Sequence, residues 1–347
     1  MNKTKHILCV QFKSKNSAAL YDGNSFVNKR ICDKILIKRN KIDIIFYRSK
    51  KMQVSEVLDS PKSIIRMHLQ KCLCFFLAVT GEIPDVRAVT YICGTEEFKI
   101  DYEEFTQTWK NCYAKIALPA EYARIIFDRG DGQKFYVMLT YFLKAQLDYF
   151  SHDRFRAAWS ALNAMYSYLA ENKSKNPNES EKLRNLMRII DNEPMENALE
   201  TVKALDNDFW KSVDWYYLLI QKDKGKIKEY YCDYYNDKLI LELVKKYTWG
   251  FSKKDKLEGI NKALMNELDR KIKMKINNPV DRLKFIIRKE CYSRRNRSFH
   301  AEKPYPLFVI STGTETTNEN TLTEIILLTF KDLFIAFTEK QEQYNQI

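Results

Sequence analysis

The chain has 347 residues, 45% of them hydrophobic, with 20 Phe, 21 Tyr and 5 Trp; this is ample material for a buried core and excludes the apolar-poor class of disordered chains. Gly at 9 and Pro at 8 are scarce, which argues against a turn-rich all-β fold and for long helices. The net charge of +13 is uneven, because Lys253–Lys303 alone carries 16 Lys+Arg against 7 Asp+Glu. A segment of that density neutralises phosphates, so nucleic acid is the expected partner; a merely solvated helix face is the alternative that charge alone leaves open.

The first third reads as a small α/β module. Ile7–Phe12, Lys34–Ile37, Ile42–Tyr47 and Ala88–Ile92 are short β-branched or aromatic stretches with strand character, and Asn40-Lys41 supplies the turn of a hairpin between the second and third. Ser60-Pro61 has the residue types of a helix cap and first turn. The helix it opens runs through Ile64, Ile65, Leu69 and Leu73 to Val79 and stops at Gly81. The loop Asp128–Gln133 is the expected boundary, giving an N-terminal module at 1–130, with a possible sensor or regulatory role, and a helical domain at 131–347. Its Gly130-x-Gly132 lacks the third glycine and the strand-to-helix turn of a phosphate cradle.

Beyond it the periodicity turns to 3.6. Helices are expected over Phe135–Phe150, Asp153–Leu169, Glu181–Ile190, Asn197–Leu205, Phe209–Gln221, Lys238–Tyr247, Lys256–Ile276 and Val280–Tyr292, the last with Asn278 as cap and Pro279 in its first turn. Tyr305–Phe308 breaks the pattern, Ser311–Asn320 reads as a polar loop, and Leu322–Phe337 as a closing apolar helix. The fold class is therefore α+β: a mixed N-terminal module followed by an all-α bundle with inserted helices.

The eight cysteines form no CxxC pair, and most lie in apolar runs such as Lys71–Phe76. They read as small core residues in a reducing compartment rather than as metal ligands. The opening segment lacks the length of a signal peptide, and the run Cys72–Val79 falls well short of the ~20 residues of a membrane span. A cytoplasmic protein without membrane contact, metal or cofactor is expected.

Histidine is the side chain suited to proton transfer near neutral pH, and there are four: His6, His68, His152 and His300. The first three have neighbours that suggest structural roles. His300 ends the run Arg294-Arg295-Asn296-Arg297-Ser298-Phe299-His300. On a helix Asn296 and Arg297 are its i−4 and i−3 neighbours, while Arg295 is turned about 140° away and joins it only where the helix bends or across a dimer.

This run resembles the signature of the HEPN superfamily, helical-bundle ribonucleases in which Arg, often followed by a polar residue such as Asn, precedes His by four to six residues. Arg295-Asn296-x-x-x-His300 has the preferred form, and Arg294 offers a second register. Arg154–Tyr166, with Trp159, Asn163 and Tyr166, resembles an early bundle helix of defence-associated members. Trp159 and Tyr166 suit packing, and Asn163, polar within an apolar stripe, needs a hydrogen-bond partner.

The resemblance implies a metal-independent endoribonuclease in which the RNA's own 2′-hydroxyl is the nucleophile. His300 would be the general acid or base, Arg295 would stabilise the phosphoryl oxygens, and Asn296 would orient either. Arg294, Arg297, Arg288 and Lys289 would contact the RNA backbone. A single Arg/His set implies a homodimer with a composite site, and a toxin or anti-phage role implies an activator or antitoxin acting through the N-terminal module. Two other readings stay open: a non-catalytic RNA- or nucleotide-binding bundle with a degenerate site, and an interaction protein whose arginines meet acidic surfaces.

Overall fold

The computed structural model describes residues 3–26, 32–49, 53, 57–58, 60, 62–100, 114–172, 175–222, 227, 235–254, 262–299 and 314–345. Its contacts divide the chain into two units, Met1–Met165 with Phe334–Ile347, and Tyr166–Leu333. The class is α+β: an antiparallel six-stranded sheet precedes a mostly helical remainder.

In the first unit the strands are β1 (Thr4–Phe12), β2 (Ala19–Phe26), β3 (Cys32–Lys38), β4 (Lys41–Arg48), β5 (Val86–Cys93) and β6 (Glu96–Ile100), in spatial order β2-β3-β4-β1-β5-β6. Alternation decides which face is buried. His6, Leu8, Val10 and Phe12 of β1 and Ile42, Ile44 and Phe46 of β4 are all fully or almost fully enclosed. The hairpin pairs Lys38 with Lys41, so its two turn residues are Arg39 and Asn40, one earlier than expected.

Helix α1 (Ile64–Thr80) buries Ile65, Leu69, Cys72, Phe75 and Phe76. Its cap is Ser63 rather than Ser60: the Ser63 hydroxyl accepts from Arg66 N at 3.2 Å and donates to the Val57 carbonyl at 2.7 Å. Gly81 ends it at φ 72°, its N–H donating to the Leu77 carbonyl.

A helical turn, α2 (Ala120–Ala123), leads to α3 (Gly132–Leu147), which packs on α1. Buried Lys71 of α1 donates to the carbonyls of Phe26 and Ile126, both at 2.9 Å. The loop Asp128–Gln133 is thus internal to the first unit, whose division from the second falls within α4 (Ser151–Glu171) instead. The end of the chain belongs here too. In α12 (Thr314–Asn345), Phe334 meets Phe135 edge to face at 5.8 Å, Phe337 stacks on it at 5.5 Å, and Glu339 accepts from the Tyr122 hydroxyl at 2.6 Å.

The second unit holds α5 (Glu179–Asn192), α6 (Glu196–Lys203), α7 (Asn207–Ser212), α8 (Lys238–Lys254), α9 (Lys262–Met274), α10 (Pro279–Phe285) and α11 (Tyr292–Phe299), with π-helical segments at Tyr217–Lys222 and Ile286–Cys291. Phe285 centres its aromatic core, with ring centroids 5.3 Å from Trp215, 5.7 Å from Tyr235 and 6.2 Å from Trp210. Asp332 of α12 caps α6, accepting from Asn197 Nδ2 at 2.6 Å and Ala198 N at 3.0 Å. The stretch Thr314–Asn320, expected as loop, is helical, and no helix of the described residues is long and apolar enough to cross a membrane.

Candidate functional site

The Arg-Asn motif sits at the end of one helical run, α10, the π segment and α11, and the start of that run is fixed by reciprocal capping. Asn278 accepts from Val280 N and Asp281 N, with Pro279 in the first turn, as the sequence predicts. Asp237, fully enclosed, accepts from Asn278 N at 2.6 Å and Arg282 Nε at 3.0 Å, and caps α8 through Ile240 N at 3.0 Å. Asp281 returns the contact by accepting from Asn236 N at 2.5 Å. Two carboxylates thereby hold the N-termini of α8 and α10 side by side.

Past Phe285 the helix widens by one residue: the Tyr292 amide reaches the Ile287 carbonyl, five residues back. Such a bulge re-aims everything beyond it. On the widened segment Lys289 and Glu290 are 2% and 1% exposed, and Arg288 is half-buried.

The four polar residues of the motif then divide by environment. Arg294 donates to Glu290 at 2.5 Å; burial works against its charge, and the carboxylates of Glu290 and Glu319 outweigh it, raising the pKa further. Arg297 is 7% exposed, donates to Asp214 at 2.7 Å and lies over the Tyr217 ring at 4.4 Å. Arg295 and Asn296 stay half-buried and are joined, Arg295 Nη1 donating to Asn296 Oδ1 at 2.8 Å. His300, next in the chain after α11, lies outside the described residues.

The surroundings of Arg295 are polar. Tyr166 donates to Glu179 at 2.7 Å, and its own pKa is pushed well up by burial and then by Glu179, with the Arg295 charge pulling the opposite way. Glu290 Oε2 and Ser293 Oγ are buried without a hydrogen-bond partner among the described residues, as is Asn163 Oδ1 in the first unit, so the partner expected for that asparagine is not found there. Trp159 and Tyr166 are core residues at 1% and 0% exposure, as their spacing suggests.

Of the residues expected to contact an RNA backbone, Lys289 and Arg297 are enclosed, Arg297 is paired with Asp214, Arg294 is paired with Glu290, and Arg288 is half-buried. Sequence reasoning missed Glu290, Asp214 and Tyr217. Glu290 was visible as the i−4 neighbour of Arg294; Asp214 and Tyr217, some 80 residues upstream, gave no signal.

No group of His, Cys, Asp and Glu among the described residues is arranged to hold a metal ion. No family model matches the chain, and no curated protein or solved structure matches it either.

Proposed function

We propose that the chain is a HEPN-type, metal-independent endoribonuclease acting as a toxin or anti-phage effector. The observation that carries this reading is the hydrogen-bonded Arg295–Asn296 pair, half-buried at the end of a helix whose other two arginines are paired with carboxylates, five and four residues before His300. RNA brings its own nucleophile. The 2′-oxygen attacks phosphorus, the bond to the 5′-oxygen breaks, and the products are a 2′,3′-cyclic phosphate and a 5′-hydroxyl. The 2′-hydroxyl proton leaves to a base and the departing 5′-oxygen gains one. His300 serves one of these transfers, Arg295 stabilises charge on the phosphoryl oxygens, and Asn296 holds the Arg295 guanidinium. Because one chain carries one such set, a second copy supplies the other proton-transfer group, and the N-terminal unit regulates the assembly.

The test is incubation of the full chain with labelled structured and unstructured RNA in excess chelator, beside His300→Ala. Cleavage by the wild type alone, ending in cyclic phosphate, supports the proposal. Binding without cleavage by either protein overturns it in favour of a non-catalytic RNA-binding bundle.

A further inference from the structure

At one end of the sheet, within the first unit, a cavity of about 570 Å³ is lined by Lys3, Asn24, Asp33, Lys34, Tyr47 and Arg48, among others. We propose that this cavity binds a mononucleotide, its phosphates held by Arg48, Lys34 and Lys3 and its base stacked on Tyr47.

The charge balance points to an anion. Among the described residues that line it, three carry cationic side chains, and the carboxylate of Asp33 is already satisfied. Asp33, with its side chain 2% exposed, receives both arms of Arg48, Nη1 to Oδ1 at 3.0 Å and Nη2 to Oδ2 at 2.7 Å, and His68 Nε2 lies 3.3 Å from Oδ2. His68 is itself held through Nδ1 by Ser25 Oγ at 2.8 Å. Both the histidine and the serine are fully enclosed. Buried Ser, His and Asp in a row are thus a brace for Arg48 and not a nucleophile open to substrate.

What the brace achieves is a fixed guanidinium. Asp33 and the Tyr47 carbonyl (3.0 Å from Nη1) take three of its N–H groups, and its carbon lies 5.3 Å from the Phe46 ring centroid. Arginine carries five donors in a rigid fork, so among the described residues two are left over, on a side chain that is 29% exposed at the cavity wall. A preorganised fork of this kind suits phosphate oxygens.

Lys34 adds a second, adjustable charge. Its ion pair with Asp22, at 3.3 Å, is more than half exposed on both sides, and such pairs contribute little, so a phosphate competes with the carboxylate at small cost. Ile64, the first residue of the 17-residue helix α1, also lines the cavity, and that helix has no acidic residue in its first turn. Its positive end is therefore left to favour an anion.

The aromatic wall and the size narrow the class. Tyr47 exposes 52% of its surface, a flat ring beside the cations on which a base can stack. Small-molecule sites run from about 300 to 1,000 Å³, and the cavity lies inside that range. Inorganic phosphate alone would leave the ring and most of the volume unused.

The test uses the full chain and a fluorescent N-methylanthraniloyl ATP, titrated at physiological salt and competed with unlabelled ATP or inorganic pyrophosphate. Saturable binding is expected, displaced by both competitors. Lys34→Glu should raise Kd roughly tenfold or more, the loss of one phosphate contact. Tyr47→Ala should weaken the nucleotide several-fold and leave the pyrophosphate competition constant unchanged. Both positions are exposed, so thermal melting of each variant should match the wild type. Absence of saturable binding overturns the site, as does equal binding by wild type and both folded variants. A Tyr47→Ala protein that binds nucleotide normally while Lys34→Glu does not overturns the nucleotide assignment. None of these outcomes depends on whether the chain cleaves RNA.

Discussion

The Arg297 guanidinium lies 4.4 Å above the centre of the Tyr217 ring. The same group donates to Asp214 at 2.7 Å, so an arginine from the motif helix is anchored to a segment 80 residues away. Arg297→Ala removes a stacked, almost fully enclosed cation and leaves a cavity, and should cost about 2–4 kcal/mol. The ion pair accounts for little of that, since Asp214 is 38% exposed and screened. Urea denaturation measures it. A variant of wild-type stability that had lost only RNA affinity would mean that Arg297 is a ligand contact and not an anchor.

Arg295 should behave in the opposite way. Its half-buried position and its bond to Asn296 predict that Arg295→Ala costs less stability than Arg297→Ala, about 1 kcal/mol, and, on the proposed ribonuclease function, lowers RNA cleavage on the order of 10²–10³-fold. Arg295→Lys should not restore the rate, because a point charge lacks the planar fork. Paired melting curves and single-turnover cleavage separate the two effects, and a fully active Arg295→Lys would argue against bidentate phosphate contact.

Lys71 gives a pH signature. Burial pulls its pKa down to about 8 from the ordinary 10.5, and it is 1% exposed. Between those two values the unfolded chain binds the proton and the folded one does not, so Lys71 by itself adds stability as pH increases from about 8 to 10.5, while the thiols of Cys9, Cys72 and Cys74, whose pKa values burial raises, act in the opposite sense. In Lys71→Met only that contribution is lost, so stability should fall more steeply with pH than in the wild type, whatever the change in absolute stability from the two carbonyls left behind. Denaturation at pH 8, 9 and 10 tests this; an identical slope in both proteins would place the titration elsewhere.

Gly81 is held by sterics. At φ +72° it closes α1, and a Cβ there would meet the Ala114 carbonyl oxygen at 2.6 Å. The backbone on both sides is also bonded, since Ala114 N donates to the Gly81 carbonyl at 2.8 Å. Gly81→Ala should therefore destabilise the first unit by about 1–3 kcal/mol, read as a lowered thermal midpoint; an unchanged midpoint would show that the backbone at Ala114 yields.

Much of the sheet was legible because its central strands obey alternation. Ile42, Ile44 and Phe46 announce β4 by themselves. The edge strands β2 and β6 escaped notice for the reason that makes them edges: ALYDGNSF and EEFKI are polar or interrupted by Gly23, and each pairs on one side only. The cap at Ser63 lost to Ser60 on paper because Pro61 made the earlier start look stronger. Thr314–Asn320 read as loop by composition, yet helical packing of α12 overrode its weak propensity. In the site, the motif and the Asn278-Pro279 start were visible as local patterns. The burial of Arg297 was not, because nothing in a linear sequence ties it to Asp214.

The extra residue accommodated between Ile286 and Cys291 acts as a rotary setting for everything after it. Each residue of a helix turns the next by about 100°, so excising one position there would restore regular winding while swinging the downstream face by that angle. Arg297 would be carried off Asp214 and Tyr217, and the position of Arg295 would pass to a neighbour. The chemistry displayed at the tip is thus indexed by a local overcount in the backbone, and a length polymorphism there would be felt two turns away.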